Sequence, residues 1–234
     1  MIIQESGQKP AQNAGFRFER GKSGYRPLEK YVGYKTVESA PFVWNGGFAL
    51  VQKQKNVVAL HEAIRKVDPT AKILEISSKS LQPIGVQLSA FNLKLKLNGQ
   101  ECSVESVFQS GKVFDGNVGP FPKLASHDSR EVRHFVQENS VGHALIAFEA
   151  DGIRWALQPK TAFFFYLYLK ALCDNPELGD RLMDFDAFTD IEFNPKRQIN
   201  CQAAAAAFYV SLRKQGRLEW AMASRGNFLR AHGA

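Results

Sequence analysis

Cysteine is scarce in this 234-residue chain, which holds only Cys102, Cys173 and Cys201. An odd count at wide spacing excludes a disulfide framework and a four-cysteine zinc site, and it suits a reducing compartment. The five histidines, His61, His127, His134, His143 and His232, never pair at i+4, so the helical zinc pair is missing and no metal is expected. No G-x-G-x-x-G, P-loop or G-x-S-x-G segment occurs. There is no internal repeat. The richest apolar run, TAFFFYLYLKALC, is broken by Lys170 and is too short to span a bilayer. The start, MIIQESGQKPAQNAG, lacks the basic-then-apolar order of a signal peptide. The expectation is a cytoplasmic protein with no membrane partner.

Positive charge is in excess. Thirty Lys+Arg stand against 23 Asp+Glu, a net +7. Such an excess favours an anionic partner without identifying it. A 44% hydrophobic composition supports one substantial core. Residues 1–40 are Gly-rich and basic with little periodicity, and read as an N-terminal arm, either loose or a short pairing segment. Residues 41–234 read as one α+β domain, mainly helical, with a small antiparallel sheet.

Helix patterns run over about 51–67, stopped by Pro69, over SREVRHFVQENS, and over a pair broken near Asn175-Pro176. A long alanine-rich helix, CQAAAAAFYVSLRKQG, follows Asn200 as its candidate cap and ends at Gly216. AKILEISS reads as a strand. Alternation at Leu93, Leu95 and Leu97 with a turn at Asn98-Gly99, and a second turn at Asp151-Gly152, read as hairpins.

The stretch VESVFQSGKVF (104–114) carries the most chemistry. Glu105, Gln109 and Lys112 fall at i, i+4 and i+7, within roughly 60° of one another on a helix. Ser103 is a plausible cap. A solvated polar face explains most such strips, but Gly111 costs a helix interior about 1 kcal/mol relative to alanine and suggests that something approaches closely. Because the helix follows a strand pair, its first amides are expected to face a ligand. The loop DAFTDIEFNPKRQINC is the second candidate. Its Lys196 and Arg197, just before a helix, suit a pyrophosphate, and its Asp190 is an acid-base candidate. The acidic spacing there is not an EF-hand, because no glycine sits where that turn needs one. Trp155 reads as a core anchor or a stacking surface.

The words QLSAFNL and NGQECSVESVFQSGKVF resemble the NADAR family, named for its association with NAD and ADP-ribose. Ser89, Phe91 and Asn92 match that family's LSNF stretch with Ala90 interposed. Ser103, Val104, Glu105, Gln109 and Lys112 match its second motif, with Ser106 where histidine is usual. Asn200 survives from a glycine-containing segment whose glycines are lost. QKQKNVVALHEA, ILEISSKS, LQPKTAFFFYLYLKAL and DAFTDIEFNPKRQINCQAAAAAF resemble one branch, the NADAR antitoxins paired with DarT-type ADP-ribosyltransferase toxins. The likeness covers about 45–220.

That resemblance implies a glycohydrolase that removes ADP-ribose from guanine bases of DNA. It implies ADP-ribosylated DNA as substrate, a DarT-type toxin as genetic partner, ADP-ribose as ligand and no cofactor. It implies Lys112, Glu105 and Asp190 as catalytic groups. Ser89, Phe91, Asn92, Gln109, Trp155, Phe188, Lys196, Arg197 and Asn200 would bind substrate. Lys112 would act as a Schiff-base nucleophile with Glu105 moving protons, or Glu105 would activate water while Lys112 polarises the ribose. Two alternatives stand beside it: an antitoxin that masks its toxin by contact, and an N-glycosidase acting on a small amine-linked ribose phosphate.

Overall fold

A computed structural model describes residues 24–30, 32–37, 39–194, 196 and 198–233. In chain order its elements are β1 (Gly24–Pro27), β2 (Tyr34–Val37), α1 (Leu50–Val67), β3 (Ile73–Glu75), α2 (Pro83–Gln87), β4 (Lys94–Leu97), β5 (Gln100–Ser103) and α3 (Val104–Ser110). There follow β6 (Lys112–Phe114), α4 (Ser129–Asn139), β7 (Leu145–Ala150), β8 (Ile153–Ala156), α5 (Ala162–Asp174), α6 (Pro176–Leu182), β9 (Ala187–Thr189), α7 (Gln202–Lys214), α8 (Leu218–Met222) and α9 (Arg225–His232). The chain is α+β, as its patterning predicts.

Two helices organise the core. α5 is apolar almost all round and buries Phe163, Phe164, Phe165, Leu167, Tyr168, Leu169 and Leu172. A helix of that kind has to sit inside. The five alanines of α7, Ala203 to Ala207, are all buried; their small side chains let the backbone lie close to its neighbours. Tyr168 is fully buried and donates its hydroxyl to the carbonyl of Leu88 at 2.8 Å. That bond ties the core helix to the 88–93 turn.

Three small sheets surround these helices. β4 and β5 form a hairpin whose turn, Asn98-Gly99, has φ of 50° and 79°, the left-handed pair that a two-residue hairpin turn requires. β6, β7 and β8 form an antiparallel three-stranded sheet. The third sheet is mixed, in the order β2-β1-β9-β3, with β9 antiparallel to β1 and parallel to β3.

In that sheet residues 24–37 follow the pairing-segment alternative. Tyr25 and Tyr34 pack edge to face at 5.7 Å, and Tyr34 lies against Phe165. Arg26 bridges Asp68 at 2.6 Å and Asp186 at 3.0 Å. Tyr25 and Tyr34 are half-buried by this packing. Residues 1–23, the rest of the expected arm, lie outside the described residues. The segment after Asp186 is likewise not all loop, since its Ala187–Thr189 is β9. Two short helices, α8 and α9, follow α7.

A buried polar cluster locks the end of β9. Glu75 accepts from Ser77 Oγ at 2.7 Å, from Thr189 Oγ1 at 2.6 Å and from the amide of Ile191 at 2.8 Å. Thr189 Oγ1 also lies 2.9 Å from His61 Nε2. Since the threonine proton goes to Glu75, His61 must donate through Nε2. Burial, with Arg65 adding, pulls the imidazole down to about 4. The unfolded group titrates near about 6.5, so the unfolded chain binds the extra proton and stability falls as pH drops from 6.5 towards 4. Denaturant titrations at pH 7 and pH 5 are expected to show a loss of about 2 kcal/mol that is largely absent in His61→Gln. An equal loss in both proteins would remove His61 as its source.

Candidate active site

One cavity of about 550 Å³ opens beside α3 and is lined by groups from α3, β6, α4, β7, α5 and the loop after β9. Its polar floor is the strip read from the sequence, built in an unexpected way. α3 ends at Ser110, Gly111 is its C-cap, and Lys112 is the first residue of β6. Gly111 is therefore not a helix-interior residue. Its close neighbours are real: a Cβ there would stand 2.7 Å from the Glu149 carbonyl and 3.0 Å from the Phe163 ring. The Glu149 amide in turn donates to the Gly111 carbonyl at 2.7 Å. The glycine lets the chain turn from helix to strand directly against β7.

The three side chains of the strip meet in a line. Lys112 Nζ donates to Gln109 Oε1 at 2.6 Å, and Gln109 Nε2 donates to Glu105 Oε1 at 2.7 Å. Gln109 is buried, whereas Glu105 and Lys112 are half-buried. The Lys112 ammonium position lies 5.5 Å from the centre of the Phe108 ring. Burial lowers the Lys112 pKa from the ordinary lysine range, the nearby Glu105 carboxylate opposes this, and Arg133 adds to the lowering.

Ser103 caps α3 as expected, accepting from the Ser106 amide at 3.0 Å. Ser106, in the histidine position of the motif, is buried and donates to the His127 carbonyl at 2.9 Å. The expectation that the first amides of α3 face a ligand is overturned. Those of Val104 and Glu105 bind the carbonyls of Leu93 and Ala90, and that of Ser106 binds its cap.

Among the other residues assigned from the motifs, Phe91, Asp190 and Asn200 line the cavity together with Glu105, Gln109 and Lys112. Asp190 Oδ1 accepts from the amides of Glu192 and Phe193, both at 3.1 Å, and so shapes the cavity wall. Asn200 does not cap α7; Cys201 holds that position without a side-chain cap. Instead the Asn200 Oδ1 is buried with no hydrogen bond, an acceptor in the wall that a ligand donor can satisfy. Ser89 and Asn92 stand behind the wall. The Ser89 carbonyl accepts from the amides of Asn92 and Leu93, and Asn92 Nδ2 donates to the Val86 carbonyl at 2.9 Å. They hold the turn that presents Phe91.

Three assignments fall elsewhere. Trp155 is buried among Phe163, Tyr166 and Phe228. Phe188 is a fully buried residue of β9. Lys196 is exposed and outside the cavity lining, because Asn194 and Gln198 close a turn beneath it. Arg197 lies outside the described residues. The cations that do line the cavity are Arg133 of α4 and Lys160 before α5. Sequence reading missed both, along with the aromatic wall. In that wall Phe108 stacks on Phe148 at 5.3 Å and meets Phe164 edge-on at 5.6 Å. Gln202 was also missed; it lines the cavity and accepts from the Ala90 amide at 2.8 Å.

Cys102 and Cys201 are buried and Cys173 is exposed. Burial, with the Asp190 charge adding, pushes the Cys201 thiol far up, and Cys102 and Cys173 are raised as well, which disfavours the thiolate. No group of three or more His, Cys, Asp or Glu able to hold a metal occurs among the described residues. No helix there is long and apolar enough to cross a membrane.

A lysine, an amide and a carboxylate in series, in an aromatic-walled cavity of an α+β domain, match the NADAR pattern in the sequence. The comparison with protein families gives the same class and a narrower group: the DarT1-associated NADAR antitoxins, matched over residues 22–233. The chain belongs to that family, and it is an antitoxin of a DarT-type toxin–antitoxin system. No curated protein matches it.

Proposed function

We propose that this antitoxin is an enzyme, an N-glycosidase that releases ADP-ribose from guanine bases of DNA. The observation that carries the reading is the Lys112–Gln109–Glu105 hydrogen-bond series at the floor of the cavity. Desolvation favours a neutral amine there, and a neutral amine is a nucleophile.

The reaction balances without a cofactor. The lone pair of the exocyclic base nitrogen expels the ring oxygen of the ribose, which takes a proton, and leaves an open-chain iminium at C1. Lys112 Nζ adds to that carbon. A proton passes from Nζ to the base nitrogen, the base amine leaves, and the lysine iminium remains. Water adds, lysine departs, and the freed aldehyde closes to ADP-ribose. One water is consumed and one C–N bond is broken. Glu105 moves the protons through Oε2, which makes no hydrogen bond among the described residues; its Oε1 is held by Gln109.

The pyrophosphate grip is assigned to Arg133 and Lys160, the described cations that line the cavity beside Lys112; Lys196 lies outside that lining. Each charge-assisted contact contributes about 1.5–3 kcal/mol. Calorimetry on a protein carrying Arg133→Gln and Lys160→Gln is expected to show at least tenfold weaker ADP-ribose binding. Unchanged binding would move the pyrophosphate elsewhere. The net +7 suits a polyanionic substrate.

The deciding experiment incubates the protein with an oligonucleotide ADP-ribosylated on guanine and looks for free ADP-ribose. Release from small aminopyrimidine ribosides but not from the oligonucleotide would favour the small-metabolite reading. A second reading, masking of the toxin by contact, has one feature in its favour. Phe48 is 98% exposed, and Val43, Leu50 and Val51 are exposed nearby in sequence, which is typical of a protein-binding patch. Protection from the toxin by a folded Lys112→Ala protein would establish that reading instead.

A further inference from the structure

We propose that Gln109 is a positioning residue, an amide whose orientation is fixed by Glu105 so that only its oxygen faces Lys112. The inference rests on the reading of Lys112 as nucleophile. A primary amide has two ends, a donor and an acceptor, and in isolation either can face the lysine. Here the Glu105 Oε1 stands at the far end and accepts from Nε2 at 2.7 Å. Oε1 is then left to meet Nζ at 2.6 Å. The reversed amide would aim N–H groups at the amine and occupy its lone pair. The observed one accepts an N–H, so the lone pair of the neutral amine stays free for the ribose carbon.

The same arrangement separates charge. A direct Lys112–Glu105 contact would be an ion pair, and an ion pair holds the amine protonated. The interposed amide keeps the carboxylate close enough for proton transfer to the substrate but out of contact with Nζ. Consistent with this, burial outweighs the opposing pull of Glu105 on Lys112. Gln109 is buried and both of its ends are taken by protein. Its motif position suggests a substrate contact; the bonds at both of its ends support a positioning role at the cavity floor.

Gln109→Glu keeps the shape and puts a carboxylate directly on Nζ. Competitive acylation of the ligand-free protein across pH, read at Lys112 by mass spectrometry, reports where that amine titrates. The midpoint is expected to rise by about one pH unit or more in Gln109→Glu. It is expected to change much less in Glu105→Gln, where the amide still intervenes. In turnover, the pH–kcat profile of Gln109→Glu moves upward by a similar amount, KM stays put, and the rate at pH 7 falls about tenfold while recovering in alkali. An unmoved labelling midpoint in Gln109→Glu overturns the inference. So does a Glu105→Gln midpoint that falls as far as the other rises, or a raised KM with an unmoved profile. If Gln109→Glu does not fold, the Glu105→Gln arm decides alone. Labelling needs no turnover, so a protein that shifts as expected yet releases no ADP-ribose would retain this inference and lose the glycohydrolase reading.

Discussion

Lys112→Ala is expected to abolish release of ADP-ribose from modified DNA, with a loss on the order of 10³-fold or more, as removal of a nucleophile commonly brings. Borohydride added during wild-type turnover reduces the lysine iminium to a stable amine, so mass spectrometry is expected to find an ADP-ribose adduct on Lys112. The fold should survive the substitution. Lys112 makes one side-chain hydrogen bond among the described residues, to Gln109, and it lines a cavity, so water can replace it at Oε1. Lys112→Met, which keeps the stem against Phe108, is expected to lose as much activity and less stability. Turnover near the wild-type rate in either variant, or normal turnover with no trapped adduct, would end the Schiff-base route.

Glu105→Gln is expected to lower kcat by about 10²–10⁴-fold, the usual cost of losing a general acid-base group. The substitution separates the two tasks assigned to Glu105. A glutamine at 105 can still accept from Gln109 Nε2 through its oxygen, so the observed amide orientation stays open to it although an acceptor-only group no longer enforces it, and ADP-ribose binding should hold. What disappears is the proton carrier. Glu105→Ala removes both tasks and is expected to fall further, with the difference between the two variants measuring what orientation contributes. A Glu105→Gln protein with near-normal kcat would take Glu105 out of the chemistry.

The sequence was most informative where chemistry and local structure coincide. Ser103 as cap, the Asn98-Gly99 and Asp151-Gly152 turns, and the break at Asn175-Pro176 follow from local rules, and the fold obeys them. Glu105, Gln109 and Lys112 share a strip in both accounts, although a helical period places Lys112 correctly for the wrong reason. A residue just past a helix end can stay over that helix when the chain turns tightly, and at Gly111 it does. The rest depended on what lies opposite. Nothing near Arg133 or Lys160 marks them as facing Lys112, because α4 and the segment before α5 meet it only in three dimensions. Trp155 and Phe188 looked like binding residues because aromatic side chains serve cores and ligands alike, and only burial separates the two uses. Residues 24–37 left two readings open for a related reason. Four-residue strands carry little pattern of their own; β1 pairs along its length with β2 and meets β9, far along the chain, at Tyr25 and Phe188.

The place of β9 between β1 and β3 also bears on how the antitoxin comes into being on the ribosome. The wall that carries Asp190 hangs from a strand locked to Glu75 across 114 positions of chain. Contacts of that span close late and slowly. A nascent polypeptide can form α1 and the β4–β5 hairpin early, yet it has no finished cavity until Gln202 has emerged to meet the Ala90 amide. A chain halted before that point lacks one wall of the cavity. Closure of the cavity then waits on long-range strand pairing, which is slower than helix formation.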